Sequence, residues 1–230
     1  MDGKNLLSEG IDVLCNGDEE IKNLVAPRRE EITAHLNNYI KEIETFNSAY
    51  GLVGTSDTNE LIVKHILDSL APLGIINRLL KETNAENTAQ IADAGSGAGL
   101  PGIPLAIAMP QCDFTLIERM GRRAGFLFNT KAVLRLSNVN IEECELEKAQ
   151  GGRFNLVTFR AFKPTEPKLL KTLFKVCAPK GVIAAYKGKR EKTEAEMASL
   201  GKNCKNWEII PCKTPFLEEE RHILVIRSPD

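Results

Sequence analysis

One stretch of this 230-residue chain decides its fold class: Asp93-Ala94-Gly95-Ser96-Gly97-Ala98-Gly99-Leu100-Pro101-Gly102. It follows a short apolar segment typical of a buried strand and precedes an apolar segment opened by proline, a favoured first residue of a helix. Because glycine has no Cβ atom, a ligand can lie directly against such a backbone. The stretch therefore predicts a ligand-binding loop at the carboxyl edge of an α/β sheet.

Strands and helices alternate from this loop onward, which favours a mostly parallel sheet covered by helices on both faces. The last two strands, 207–211 and 222–226, are joined without a helix and must pair antiparallel, because a parallel connection needs a long crossover. This layout is typical of the Rossmann-like class I S-adenosylmethionine-dependent methyltransferases. The remaining predicted strands and helices are strands 90–94, 114–118, 139–144, 154–159 and 181–186, and helices 101–109, 122–136, 167–176 and 191–200.

The first 85 residues show helical periodicity instead. Apolar residues spaced three and four apart predict one amphipathic helix over 28–49, and Asp57 with Glu60 predicts the capping box of a second helix. We therefore predict an N-terminal helical region at 1–85 and a methyltransferase domain at 86–230. Residues 1–90 carry 8 Lys+Arg and 15 Asp+Glu, and residues 91–230 carry 22 and 16. This asymmetry indicates a basic working face on the second part.

The overall composition is that of a globular protein, with 43% apolar and 27% charged residues. No segment has the pattern of a signal peptide or the roughly 18 apolar residues of a membrane span, so we expect a cytoplasmic protein without a membrane partner. Six dispersed cysteines without a CxxC pair and three histidines predict free thiols and no metal site. No apolar stripe is left over for a partner subunit, so we expect a monomer.

The glycine stretch matches two kinds of cofactor loop. Gly97 to Gly102 has the GxGxxG spacing of dinucleotide enzymes, whereas Gly95, Gly97 and Gly99 behind Asp93 have the spacing of a methyl-donor loop. The Asp93 carboxylate suits the ammonium and sulfonium of S-adenosylmethionine better than a pyrophosphate. Glu118, at the end of the second strand, is placed to accept hydrogen bonds from ribose hydroxyls in either case. We therefore favour the methyl donor, with a dinucleotide as the alternative.

The absence of two known motifs narrows the choice of methyl acceptor. Residues 159–162 lack the Asp/Asn-Pro-Pro-aromatic motif of exocyclic amine methyltransferases, and Cys144 has no neighbour that would activate it for attack on a pyrimidine. The predicted strand ends carry cations, which suit the phosphates of a nucleic acid. Guanine N7 has a free lone pair and needs no base, so positioning alone would serve its methylation.

At this point the chain resembles the bacterial 16S ribosomal RNA guanine-N7 methyltransferase family, also called glucose-inhibited division protein B. The resemblance spans about residues 46 to 226, and nothing matches residues 1–27. It rests on Asn59-Glu60, His65-Ile66-Leu67-Asp68-Ser69, Asp93 to Pro104, Arg122-Arg123 with Phe126-Leu127, Arg160-Ala161-Phe162, Lys187-Gly188 and Glu220-Arg221-His222.

The resemblance implies a class I methyltransferase that transfers a methyl group from S-adenosylmethionine to N7 of one guanosine in 16S rRNA, naked or within the small subunit. It adds Leu100, Leu146, Glu147 and Arg160 to a donor site that already holds Asp93, Gly95, Gly97 and Glu118. We expect Arg160 and Lys187 near the reaction centre. A small-molecule methyltransferase and a non-catalytic RNA-binding module remain alternatives. The expected RNA-binding residues are Arg122, Arg123, Lys163, Lys189, Arg221 and His222.

Overall fold

The structure is a computed structural model, and it describes residues 3–83, 85, 88–160, 166–201, 204 and 206–227. Its centre is a seven-stranded sheet in the order β3-β2-β1-β4-β5-β7-β6, numbered along the chain. The strands are β1 (Gln90–Ala94), β2 (Asp113–Ile117), β3 (Val139–Glu142), β4 (Phe154–Arg160), β5 (Cys177–Lys187), β6 (Trp207–Cys212) and β7 (Arg221–Arg227).

The sheet confirms the predicted fold class. Strands β1 to β5 pair in parallel, and β7 pairs antiparallel with both β5 and β6. The strands match the sequence prediction within two residues at their ends, except that β5 begins at Cys177 rather than at residue 181. It begins early because Cys177 already pairs with Phe154 of β4, before a register shift.

Helices cover both faces of the sheet and create two apolar cores. Alternation along β5 divides the strand between them, since Val182 and Ala184 face one core whereas Ile183 and Ala185 face the other. The helices are α1 (Gly3–Gly17), α2 (Glu19–Val25), α3 (Arg29–Tyr50), α4 (Thr58–Leu61), α5 (Asp68–Leu70), α6 (Leu73–Glu82), α7 (Gly102–Ala108), α8 (Gly121–Leu134), α9 (Pro167–Val176) and α10 (Arg190–Leu200).

The N-terminal helices share the larger core with the sheet rather than forming a separate layer. Helix α3 buries the predicted stripe and ends at Gly51, whose φ of 58° is readily adopted by glycine. Asp57 caps α4 as predicted, but Glu60 binds Thr55 and Lys64 instead of completing the capping box. Between α4 and α5 the chain forms a π-helical segment, Ile62–Leu67.

In the part of the chain that the structure describes, no helix is both long enough and apolar enough to cross a bilayer. All six cysteines are free thiols, as the sequence predicts. Four of them are buried and two are half-buried.

Candidate active site at the carboxyl edge of the sheet

The glycine loop leaves β1 and turns towards the end of β2. The amides of Gly95 and Ser96 both donate to the Ile117 carbonyl, at 2.9 and 3.1 Å. Gly97 and Gly99 have φ values of 58° and 88°, yet their surroundings differ. A Cβ on Gly97 would meet nothing nearer than 3.9 Å, whereas one on Gly99 would lie 2.6 Å from Ile103. Gly99 therefore permits packing, and Gly97 presents bare backbone to open space.

Asp93 lies beneath this loop with only 1% of its surface exposed. Its Oδ2 atom accepts a hydrogen bond from the Gly102 amide at 3.0 Å, while the buried Oδ1 accepts none from the described residues. Burial raises the pKa of this carboxyl to about 7. A buried acceptor without a donor fits a ligand that brings a cationic or N–H group, as S-adenosylmethionine does.

Glu118 also lies where the sequence predicts, directly after β2. Its two oxygens accept the amides of Gly97 and Met120, at 2.9 and 2.8 Å, so the carboxylate ties the glycine loop to the start of α8. Each oxygen keeps a second lone pair for a hydroxyl donor. The expected contact with ribose stays a prediction.

An open cleft of about 520 Å³ lies between the turn after β2 and the loop after β3. The expected donor-binding residues Leu146 and Glu147 follow this cleft in sequence, Leu146 buried and Glu147 exposed. Apart from Cys144, the residues that line the cleft are not among those predicted from the sequence, although the end of β3 marks their place, because parallel strands end at one edge. They are Arg119, Met120, Glu143, Cys144, Glu145 and Lys148.

Arg160 ends β4 two residues beyond Thr158, the partner of Asp93 in β1. Its guanidinium donates to Asp68 at 3.2 Å and to Nδ1 of His65 at 2.9 Å. His65 and Asp68 therefore share one face, as their spacing predicts, and both hold Arg160. Burial, followed by the charge of Arg160, lowers the pKa of His65 to about 4. The imidazole is neutral at pH 7, and because arginine only donates, its proton resides on Nε2.

The Asp68 carboxylate accepts hydrogen bonds from three parts of the chain. Its Oδ2 atom accepts from Arg160. Its Oδ1 atom accepts from Arg221 at 2.9 Å and from Thr214 at 3.0 Å. Arg221, expected to bind RNA, is therefore held in an ion pair behind Arg160.

The structure places two of the expected cations, Lys187 and His222, away from Arg160. Lys187 binds Glu196 of α10 at 2.7 and 3.0 Å, and His222 is 3% exposed with its Nε2 2.9 Å from Thr193. Both lie on the sheet face opposite Arg160, because Arg160 pairs with Tyr186, Lys187 pairs with His222, and successive residues of one strand alternate between faces. Lys187 is thus not brought to Arg160, and a buried His222 cannot contact RNA in this structure.

The other expected RNA-binding residues are distributed as follows. Arg122 is exposed near the Tyr50 ring, and Arg123 is half-buried with a 3.4 Å hydrogen bond to the Gly51 carbonyl. Lys189 is exposed before α10, and Lys163 lies outside the described residues. Among the residues with described positions, no group of His, Cys, Asp or Glu side chains is arranged to hold a metal ion.

The strand order, with β7 antiparallel beside β5, and a glycine loop held between two buried acids define the fold of the class I methyltransferases. Solved structures support the fold: a tRNA (m1A58) methyltransferase from Aquifex aeolicus superposes with a TM-score of 0.53 at 13% identity, covering 71% of this chain and 69% of that one. A SAM-dependent methyltransferase from the same organism also gives 0.53, at 15% identity over 74% of this chain and 94% of that one.

Within that class, the model of the family "rRNA small subunit methyltransferase G" matches residues 32–224, and the chain belongs to this family. Ribosomal RNA small subunit methyltransferase G of Treponema denticola is 40% identical over 98% of this chain and 97% of its own length. The protein of the same name from Cellvibrio japonicus is 34% identical over 94% of each. Because it covers 98% of this chain, the Treponema match includes most of residues 1–27.

Proposed function

We propose that this protein transfers a methyl group from S-adenosylmethionine to N7 of one guanosine in 16S rRNA. One observation carries the choice of acceptor: His65 and Asp68, the side chains beside Arg160, both accept hydrogen bonds from guanidinium groups, so neither is free to act as a general base. The carboxylate is occupied by two guanidiniums, and the free lone pair of the imidazole is occupied by Arg160. Guanine N7 needs no deprotonation, because its lone pair is already free.

The same site argues against a cysteine-dependent reaction on a pyrimidine. Burial raises the pKa of the Cys144 thiol, with the nearby Glu142 carboxylate acting in the same direction. A thiol with a raised pKa is a poor nucleophile at neutral pH. Positioning of the acceptor, rather than its activation, is therefore the task of this chain.

S-adenosylmethionine supplies an electrophilic methyl group on a sulfonium. The residues proposed to hold it surround the glycine loop: Asp93 accepts from its cationic end, Gly95 and Gly97 leave room along the backbone, and Glu118 accepts from ribose. Leu100 and Leu146 contribute apolar surface, and Glu147 is retained from the family resemblance. Arg160, fixed by its two partners, borders the acceptor.

The proposed setting is the cytoplasm, where the protein acts as a monomer on 16S rRNA or the small ribosomal subunit. Six free thiols suit a reducing compartment.

Tritiated methyl transfer to 30S particles and to free 16S rRNA tests the proposal, with the modified nucleoside identified by mass spectrometry. We expect label in N7-methylguanosine. Label in another nucleoside would overturn the acceptor, and absence of label despite donor binding would favour a small-molecule substrate. RNA retention without donor binding would point to a non-catalytic module, and binding of NAD(H) instead of the donor to a dinucleotide enzyme.

A further inference from the structure

The arginines of this chain divide into two groups by their partners. Eight of the twelve form ion pairs with carboxylates: Arg28, Arg29, Arg78, Arg153, Arg160, Arg190, Arg221 and Arg227. The other four, which form none with any described residue, all belong to one segment around α8, and Lys131 of that helix is likewise without an ion pair. These four are Arg119, Arg122, Arg123 and Arg135.

The local sequence explains why these cations lack partners. Residues 119–138 contain no Asp or Glu. Carboxylates from elsewhere come near this segment without forming an ion pair with its cations: Glu42 accepts from Asn129, Glu143 approaches Gly121, and Glu145 lines the same cleft as Arg119. Positive charge therefore remains unneutralised along the whole helix.

Exposed apolar side chains accompany the charge. Among the described residues, five large apolar side chains are exposed, and three of them are here: Met120 (47%), Phe128 (50%) and Val133 (52%). Phe128, Lys131 and Arg135 are spaced three and four residues apart, so they form one stripe on the helix. An exposed aromatic ring among free cations is a surface on which bases stack and phosphates bind. A protein partner would not require so much uncompensated charge.

The surface also begins at the donor site. The amide of Met120 donates to Glu118, and Nη1 of Arg123 lies 3.9 Å from the position of a Cβ on Gly97. From there α8 runs for 14 residues, about 20 Å. A strand bound along it would pass from the glycine loop to the outer end of the helix.

We propose that this α8 surface, comprising Arg119, Met120, Arg123, Phe128, Lys131 and Arg135, binds the 16S rRNA segment next to the target guanosine. The arginines and Lys131 contact phosphates, and Phe128 stacks on an unpaired base. The inference rests on the proposed function and extends it to the path of the substrate.

The test uses the double variant Lys131→Gln/Arg135→Asn, because asparagine tolerates the left-handed backbone of Arg135 (φ 53°). The matched control is Lys168→Gln/Lys171→Gln, which removes two exposed lysines of α9. Filter retention of 16S rRNA is measured over a salt series, with the KM for naked 16S rRNA and for 30S particles. We expect the α8 variant to raise both KM values about tenfold and to lower the salt slope by one to two. The control should behave as the wild type.

Equal RNA affinity and KM in the α8 variant and the wild type would overturn the proposal. So would a loss on 30S particles alone, since that result would assign the surface to a ribosomal protein. If the wild type labels no RNA, the proposed function fails, and filter retention still decides whether α8 binds RNA. Thermal unfolding and donor affinity measured on each variant separate loss of RNA binding from loss of fold.

Discussion

The environment of Asp93 differs from that of a carboxyl group on the protein surface. Its carboxyl is buried under the glycine loop, keeps one oxygen without a donor and has a pKa raised to about 7. In the unfolded chain the same group has the ordinary pKa of an aspartate, near 4. The folded protein therefore binds this proton more tightly, and ionisation without a ligand opposes folding.

The difference in unfolding free energy between the wild type and Asp93→Asn should therefore depend on pH. The stability contributed by the raised pKa is complete below about pH 4 and is lost as the pH rises through about 7. The free energy of unfolding of the wild type relative to Asp93→Asn should therefore fall by about 3 kcal/mol between pH 5 and pH 8. Urea unfolding of both donor-free proteins measures it. A difference independent of pH would show that Asp93 ionises as freely as a surface carboxyl.

At the scale of elements, α3 shapes the glycine loop from the other side. The buried Tyr39 hydroxyl donates to the Ala98 carbonyl at 2.6 Å, and a Cβ on Gly99 would lie 3.2 Å from that hydroxyl. Burial raises the pKa of Tyr39 well above its ordinary value, so the phenol remains a donor at any physiological pH. The N-terminal helical region thus supports the loop at which we propose that the donor binds.

Tyr39→Phe should weaken donor binding several-fold, because the loop loses the hydrogen bond that fixes Ala98. Tyr186→Phe is the matched control, since that buried hydroxyl also donates to a backbone carbonyl, Ser69, at 2.8 Å but does not touch the loop. Each variant should lose about 1 to 2 kcal/mol of unfolding free energy. Calorimetric titration with S-adenosylmethionine distinguishes the two variants. Equal affinities would show that the contact of α3 with the loop does not affect donor binding.

Across the whole molecule, the charge asymmetry of the sequence has a structural meaning. Three acidic side chains of the N-terminal helices form ion pairs within the same region: Asp12 pairs with Arg29, Asp18 with Arg78, and Glu20 with Lys81. These pairs tie the first two helices to α3 and α6. The excess positive charge of the second part, in contrast, stays unpaired along α8.

The sequence predicts the sheet, its antiparallel end and the glycine loop because these depend on local periodicity and on turns. It does not predict which cations are free, since that depends on tertiary contacts. Lys187 and His222 follow or begin apolar strands just as Arg160 and Arg221 do, but α10 covers their face. The free cations of α8 stand out only when the partners of all arginines are known.

We infer that the donor binds against the bare backbone of the glycine loop. Gly97 and Gly152 permit a matched test, because both have positive φ (58° and 71°) and open space where a Cβ would lie. Gly152 lies at the opposite edge, before β4 begins. Alanine should therefore cost each variant a similar backbone strain of about 1 kcal/mol.

The decisive measurement is calorimetric titration of S-adenosylmethionine into the wild type, Gly97→Ala and Gly152→Ala. We expect Gly97→Ala to bind at least tenfold more weakly, because its methyl group would occupy the space proposed for the donor, and we expect Gly152→Ala to bind as the wild type does. Wild-type affinity in Gly97→Ala would contradict it and place the donor elsewhere.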